Sequence, residues 1–404
     1  MGIDLSIIVP VYNRENIFKL FLNQFNSNNL AGLNCELIIL DHGSDFDLNN
    51  IIQCVKPLVP CKVIHVPRKG RNCASPKAVG ARIAEGEVIC FIDCDILLLE
   101  GALQAHYYAI KSIPNQVSIG YNYYPTAPLH PWPKAIEEAL DAKYIQYDFR
   151  QKFFNLSKEK NLSYGWIFCW MGNVALSKSL YEQSGGFDTA YLKWGCEDTD
   201  LAYRLSQSGA NFYFNDKAAG IHYPHIRPIS NSHDYTETSL YLFHKYPVWE
   251  LELLLTGRRK RIDWYEKFRY ELIQKQRKSQ SLYSIPFVPD LLIGNGYICD
   301  SKMVVSLDIN QTPAYQLFGF KLPFADQSIG SAIISDYWRY FVDNDLRDIF
   351  YEALRVSRRV FICCCSKPDP ESPWLGDINT LSTMLGEHMT LNPISENILE
   401  IGFP

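Results

Sequence analysis

Two pairs of carboxylates in this 404-residue chain are spaced like reactive groups. Asp93 and Asp95 stand one residue apart inside the apolar run that begins at Val88 and ends at Leu98. Apolar residues without alternation predict a strand buried on both faces, as in a parallel sheet. Burying an unpaired carboxylate costs several kcal/mol, so both acids should meet a cation or stand at the strand's solvent edge. In open α/β sheets that edge is where ligands bind. Asp-x-Asp there suits a hard divalent ion that keeps open positions for phosphate oxygens. Taken alone, the tripeptide reads equally as two strand-end acids facing water or capping the next helix. The second pair, Glu197 and Asp198, stands with Asp188 and Asp200 around the start of a predicted helix. Acids there favour the helix dipole and capping. Capping explains poorly why Trp194 and Gly195 sit beside them.

The elements that must carry these groups follow in order. Leu5 to Arg14 is a buried strand running into a turn, and Ile17 to Phe25 has helical spacing. Glu36 to Asp41 is a second buried strand, closed by His42-Gly43-Ser44-Asp45; Val63 to Val66 is a third; Ala74 to Glu85 is a helix ending at Gly86. Strand–helix alternation with carboxylates at strand ends is the pattern of a nucleotide-binding parallel sheet. Neither GxGxxG nor GxxxxGK[ST] is present, so dinucleotide and P-loop fingerprints do not apply. From Gly101 the chain turns aromatic and proline-rich, with a helix predicted over Lys134 to Phe149 and a strand over Tyr164 to Asn173.

Composition bounds the rest. The length implies two or three domains. A net charge of −5 and a pI near 6.0 give no whole-chain attraction to nucleic acid. No run of about twenty apolar residues exists to span a bilayer, and the first apolar run is too short for a signal peptide. Twelve cysteines without a paired CxxC read as small buried hydrophobes of a reducing cytoplasm.

The segment Gly185 to Leu205 resembles the GGFDxxxxxWGxEDxDLxxRL signature of family 2 glycosyltransferases of GT-A fold, including the galactosyltransferase-type segment of bacterial polysaccharide synthases. The opening strand through Tyr12 resembles their SIIVPxYN start, and Asp41 to Asp45 is similar to DDGSxD with His42 replacing an acid. Asp93-Cys94-Asp95 resembles their metal-binding Asp-x-Asp. The resemblance covers roughly residues 1 to 245. It implies a UDP-sugar donor and a Mn2+ or Mg2+ cofactor. Pro10 and Tyr12 would flank the uracil, Asp41 would accept from its N3–H, and Asn13, Trp170 and Gly172 would complete the donor site. Lys77 would take the place of an arginine beside the diphosphate, without that residue's bidentate geometry. Asp95 would ligate the metal, with Asp93 at the ribose or in the metal's shell. His222 would be a third ligand, a structural hydrogen bond being the equal alternative, and His225 is the next candidate. Asp198 would be the base that deprotonates the acceptor hydroxyl, Glu197 would orient that acceptor, and Trp194 would stack on a sugar ring. The acceptor could be a glycan, a lipid-linked glycan or a peptide. Transfer breaks a C1–O bond to a diphosphate; a Lewis acid takes up the departing charge. One carboxylate base with in-line attack implies inversion at C1.

Residues 249–286 gather Arg258-Arg259-Lys260-Arg261, Lys267, Arg269, Lys275, Arg277 and Lys278 among aromatics, and read as a basic helical linker between domains 1–248 and 287–404. A solvated helix is one reading; docking to an anionic membrane surface is the sharper one. The last domain, a smaller Rossmann-like α/β unit, resembles class I S-adenosylmethionine-dependent methyltransferases, with Gly294 and Gly296 as cofactor glycines and Asp308 at the cofactor ribose. Asn295 replaces the usual cysteine or acid, the Gly-Gly turn after Val356 is missing, and the domain is short, so a non-catalytic packing, assembly or acceptor-binding role is favoured. A bifunctional glycosyl- and methyltransferase and a non-catalytic sugar-nucleotide scaffold are the competing readings. Oligomerisation is left open.

Overall fold

In the computed structural model, residues 2–25, 30, 32–126, 145–156, 162–224, 230–278, 287–294, 301–308, 314–341, 343–364, 378–385, 389–395 and 397–402 are described. The chain forms two compact units, Met1–Thr238 and Ser239–Pro404. The residues expected to form a linker therefore fall in the second unit. Among the described residues no helix is long and apolar enough to cross a membrane.

Strand β1 (Leu5–Val11) is buried at all seven positions, as its unbroken apolar run requires. It pairs in parallel with β2 (Cys35–Asp41) on one side and β4 (Val88–Ile92) on the other, and β3 (Cys61–His65) pairs outside β2. Helices α1 (Glu15–Asn23), α2 (Leu48–Val55) and α3 (Ala74–Ile83) connect these strands. Phe18, Phe21 and Leu22 of α1 and Ile51 of α2 join Ile7, Val9, Leu37 and Ile39 in one core. All four parallel strands end at the same edge, which gathers Tyr12, Asp41 and Asp93.

The sheet then departs from the expected all-parallel pattern. The elements are β5 (Ile96–Leu98), α4 (Ala102–Ser112), β6 (Gln116–Pro125), β7 (Ile145–Gln146), α5 (Gln151–Leu156), β8 (Asn173–Ser177), α6 (Lys178–Gln183), α7 (Glu197–Gln207) and β9 (Asn211–His222). The order is β3-β2-β1-β4-β8-β6-β9-β5, with β7 on β6. Strand β8 runs antiparallel to both β4 and β6, and β5 antiparallel to β9. The antiparallel pairing sets His222 opposite Ile96, one residue from Asp95.

Two expectations are corrected. Ile145 and Gln146 form a strand where a helix to Phe149 was expected, while 134–144 lie outside the described residues. The aromatic run expected as a strand from Tyr164 forms a 3-10 turn, Gly165–Phe168, and the strand starts only at Asn173. The cause is the fully buried Arg150–Asp148 pair: Arg150 donates to the Phe168 carbonyl at 3.1 Å, and Phe153 stacks on Phe168 at 4.5 Å. Those contacts curl the run into an aromatic wedge.

Helix α8 (Ser230–Lys245) runs across the division between the units. The second unit contains α9 (Trp249–Leu255), α10 (Ile262–Lys278), β10 (Leu291–Ile293), β11 (Met303–Val305), β12 (Ala314–Tyr315), β13 (Ile329–Ile334), α11 (Asp343–Val356), β14 (Ser357–Cys363), α12 (Ile378–Leu385), β15 (Thr390–Ser395) and β16 (Ile398–Gly402). Its sheet order is β12-β11-β10-β13-β14-β16-β15, parallel through β14 and antiparallel at β16 and β15. Buried Glu252 of α9 accepts the N–H groups of Phe318 (2.7 Å), Gly319 (2.9 Å) and Lys321 (3.1 Å). Arg258 pairs with Asp345 at 2.9 Å and Asp348 at 2.5 Å, and Ile262, Tyr265 and Leu272 are fully buried. The basic stretch is thus partly consumed by internal pairing and packing.

Candidate active site

The ends of β1 and β2 supply the first wall. Pro10 is buried inside β1, whereas Tyr12 is 40% exposed with the Arg68 guanidinium 3.5 Å from its ring centre. A cation over an aromatic face is a stacking arrangement that a flat base could also use. Asn13, at a φ of 46°, clamps Asp45 reciprocally: its Nδ2 donates to Oδ2 at 2.7 Å and its Oδ1 accepts the Asp45 N–H at 2.8 Å. Asp41 Oδ1 accepts N–H groups from Gly43 (3.2 Å) and Ser44 (2.8 Å), and Oδ2 lies 3.2 Å from His65 Nδ1. Burial raises the Asp41 pKa, but the Ser44 and His65 hydrogen bonds outweigh it and hold the carboxyl below its usual range.

The turn between β4 and β5 carries the Asp-x-Asp. Asp95 is buried and bonded by Arg14, the residue that leads into α1. His222 Nε2 lies 4.0 Å from the same oxygen, Asp95 Oδ2. Two donors about 2.1 Å from one ion stand roughly 3–4 Å apart, so this spacing fits two ligands of a small divalent cation. Among the described residues no cluster of three His, Cys, Asp or Glu groups is placed to hold a metal. Asp95 and His222 supply two donors, so an ion held here would need its remaining oxygens from elsewhere. His225 lies outside the described residues. Asp93 is turned the other way. Its Oδ1 is 3.2 Å from Lys77 Nζ, and a Cβ on Gly172 would come within 2.8 Å of its Oδ2. Only glycine lets the backbone at 172 pass so close to that carboxylate.

Lys77 is fully enclosed. Its ammonium donates to the Met171 carbonyl at 2.8 Å and faces Asp93 Oδ1 at 3.2 Å and Asp198 Oδ1 at 3.8 Å. Burial lowers its pKa, but Asp198 and Asp93 outweigh burial and hold the lysine charged. The Met171 peptide serves both neighbours, since its N–H donates to Asp198 Oδ2 at 3.0 Å. Lys77 is therefore a fixed cation between two carboxylates.

Glu197 and Asp198 open α7 after Cys196, whose φ is 65°. Acids at a helix start are expected below their usual pKa. The structure reverses that for Asp198: burial is the largest influence, Lys77 opposes it, Asp93 adds to it, and the pKa is raised. Glu197 is pushed up to about 7, by burial and by Asp198, with Lys77 and the Asn72 amide opposing. Glu197 Oε2 and Asp198 Oδ1 are buried without a hydrogen-bond partner among the described residues. Such an oxygen is costly to leave unsatisfied and is poised to accept a proton.

The acidic turn is held by the segment before α3. A Cβ on Gly70 would fall 2.1 Å from the Leu192 carbonyl, which accepts the Arg71 N–H at 2.8 Å, and Asn72 Nδ2 donates to the Lys193 carbonyl at 2.9 Å. Trp194 is half-buried, with its N–H 3.3 Å from Asp234 Oδ2 and its ring 6.1 Å from Tyr235. Trp170 packs against the Arg150 guanidinium (4.8 Å) and Phe149 (5.8 Å) in the aromatic wedge. Asp93 and Asp198 thus converge on Lys77, with Gly172 against Asp93, and Arg14 and His222 converge on Asp95. Sequence reasoning missed Arg14, His65, Arg68, Asn72 and the Met171 peptide. Only Arg14 left a signal: it is a cation where a helix begins, against the dipole.

Residues 6–185 match the model of glycosyl transferase family 2, and residues 151–227 match that of the N-terminal domain of galactosyltransferase. A validoxylamine A glucosyltransferase of Streptomyces hygroscopicus subsp. limoneus is 28% identical over 257 residues, covering 59% of this chain and 54% of that protein. The chondroitin synthase of Escherichia coli is 25% identical over 236 residues, covering 54% of this chain and 34% of that one. The chain spans about half the length of the validoxylamine A glucosyltransferases it matches. Among solved structures, TarS of S. aureus superimposes with a TM-score of 0.45 at 15% identity, over 63% of this chain and 43% of that one. Residues 6–185 of the first unit are thus similar to glycosyl transferase family 2, in the stretch that holds the opening strand, Asp41 to Asp45 and the Asp-x-Asp.

Proposed function

We propose that the first unit is an inverting, metal-dependent hexosyltransferase, moving a sugar from a UDP-sugar to an acceptor hydroxyl of a glycan, lipid-linked glycan or peptide. The observation that carries this is Asp198 Oδ1, a buried acceptor oxygen without a hydrogen-bond partner among the described residues, fixed through its other oxygen by the Met171 N–H. The base must stay ionised until it takes a proton, and Lys77 at 3.8 Å opposes early protonation. The acceptor oxygen attacks C1, its proton passes to Asp198, and the C1–O pair leaves on the diphosphate. Tyr12, with Arg68 drawn aside, and Asp41 receive the uracil; Asn13 holds their turn. Asp95 and His222 are the residues that would hold Mn2+ or Mg2+, which when bound supplies Lewis-acid neutralisation of the diphosphate. Asp93, beside Gly172, faces the donor ribose. The glucosyltransferase name of one relative favours a hexose donor. Hydrolysis of a panel of UDP-sugars by the full chain with manganese tests the reading, and no turnover of any would contradict it.

For the second unit we retain a methyltransferase-like fold without methyl transfer. A Cβ on Gly294, which ends β10 at a φ of 110°, would meet Ser335 Oγ at 2.2 Å and the Tyr337 ring at 2.3 Å. The protein's own side chains therefore crowd the turn where a cofactor's approach was expected. Asp308 is buried in the segment that follows β11, and Asn295 and Gly296 lie outside the described residues. Calorimetry should detect no binding of S-adenosylmethionine; clear binding would restore the bifunctional reading. A cytoplasmic location, with α10 touching an anionic membrane, is consistent with the basic composition of that helix.

A further inference from the structure

Arg14 is an unexpected residue at its position. It leads into α1 as the N-cap, makes no side-chain capping bond, and places a cation where the helix dipole repels one. Serine, threonine, aspartate or asparagine would cap this helix better. What holds the guanidinium is Asp95, met from 81 residues away through Nη1 and Oδ2. The pair is lopsided: the Arg14 side chain is 30% exposed and that of Asp95 7%. A half-open arginine can leave, while the carboxylate remains fixed.

The same Asp95 oxygen lies 4.0 Å from His222 Nε2. Arg14 and a divalent ion would therefore compete for one oxygen. Both together would set a guanidinium against a dication at contact distance, an arrangement that Coulomb repulsion opposes unless a polyanion arrives with them. A nucleoside diphosphate is such a polyanion, and a planar guanidinium is well matched to its oxygens. We propose that Arg14 is the resident counter-cation of the metal position: it neutralises Asp95 until the ion binds, then turns its guanidinium onto the donor's diphosphate. Asp95 is thereby never left as an unpaired buried charge, a state that is strongly disfavoured. Arg14 is a positioning residue in the first state and a donor-binding one in the second. This rests on the reading of Asp95 as a metal ligand.

The test is a Mn2+ titration of the full chain followed by electron paramagnetic resonance, without nucleotide, together with UDP calorimetry at saturating Mn2+. Arg14→Met removes the charge and keeps an apolar stem; Arg14→Lys keeps a cation and is the second variant should the first not fold. Arg14→Met should bind Mn2+ at least about 5-fold more tightly than wild type and bind UDP about 10-fold more weakly. Arg14→Lys should stay within about 3-fold of wild type for Mn2+ and bind UDP more weakly, having lost the planar fork. Asp95→Asn should lose Mn2+ binding. Mn2+ affinity unchanged in Arg14→Met, with Asp95→Asn defective, overturns the competition alone. Tighter Mn2+ with unchanged UDP affinity overturns the diphosphate contact. Equal Mn2+ binding by wild type and Asp95→Asn overturns the underlying metal assignment instead.

Discussion

The candidate site contains two carboxylates that each meet a cation, and the two pairings are built differently. Asp198 faces Lys77, which is 2% exposed and tied by its third contact to a backbone carbonyl. Asp95 faces Arg14, which is 30% exposed and enters from a helix start. A sealed lysine with fixed partners acts as permanent charge, tuning the proton affinity of the acid beside it. A half-open arginine acts as a placeholder that an incoming ion can displace. On the proposed reading, the comparison separates the acid that acts as base from the acid that exchanges its partner.

The largest expected effect strikes the exchanging pair. Asp95→Ala should abolish most turnover, and EDTA should do the same to the wild type; full activity in excess EDTA would show that the exchange never occurs. Next comes the sealed pair. Lys77→Met leaves Asp93 and Asp198 without their shared cation, and breaking a buried pair costs about 3–5 kcal/mol. The variant should show a markedly lower Tm; an unchanged Tm would mean that Lys77 is not the electrostatic keystone proposed for it.

A pH profile sharpens the contrast. Asp198 is raised by burial, and Glu197 beside it sits near 7. Transfer needs Asp198 ionised, and burial raises its pKa, so kcat/KM should begin to decline on acidification at a higher pH than an ordinary aspartate would give. A profile flat to pH 5 would contradict the burial assigned to this pair. The smallest effect concerns stability. Glu197 binds its proton more tightly folded than unfolded, so its contribution is fully present below pH 4.5 and is lost as pH rises through about 7. Glu197→Gln removes that loss. It should stabilise the protein by on the order of 3 kcal/mol at pH 8, a pKa unit being worth about 1.4 kcal/mol. At pH 4 it should make little difference. Equal Tm differences at both pH values would argue against a raised Glu197.

Much of the scaffold was legible because burial writes itself into side chains. The apolar runs of β1, β2 and β4 and the acidic start of α7 lie where their residue types predict. The antiparallel half was not legible, since pairing direction leaves no mark in Asn173–Ser177 or Asn211–His222. The run at 165–168 misled because its aromatics could as well line a strand as a wedge, and the buried Arg150 decided between them. Within the site, residue types named Asp93, Asp95, Glu197 and Asp198, but not their partners. Arg14 meets Asp95 only because β1 lies beside β4. The Met171 peptide is invisible to any pattern of side chains. Helix position is local and alone would hold the Asp198 pKa down, whereas the burial that raises it comes from the fold around it.

The central claim is that Asp198, held by the Met171 N–H and faced by Lys77, takes the acceptor's proton. Asp198→Asn keeps the shape of the side chain and removes its charge. The direct measurement is the rate of sugar transfer at saturating donor and acceptor, beside UDP affinity and Tm for the same protein. The account predicts transfer reduced about 10²-fold or more, from the usual scale of general-base catalysis, with UDP affinity near wild type and no loss of Tm. Transfer at the wild-type rate would contradict it and place the base elsewhere.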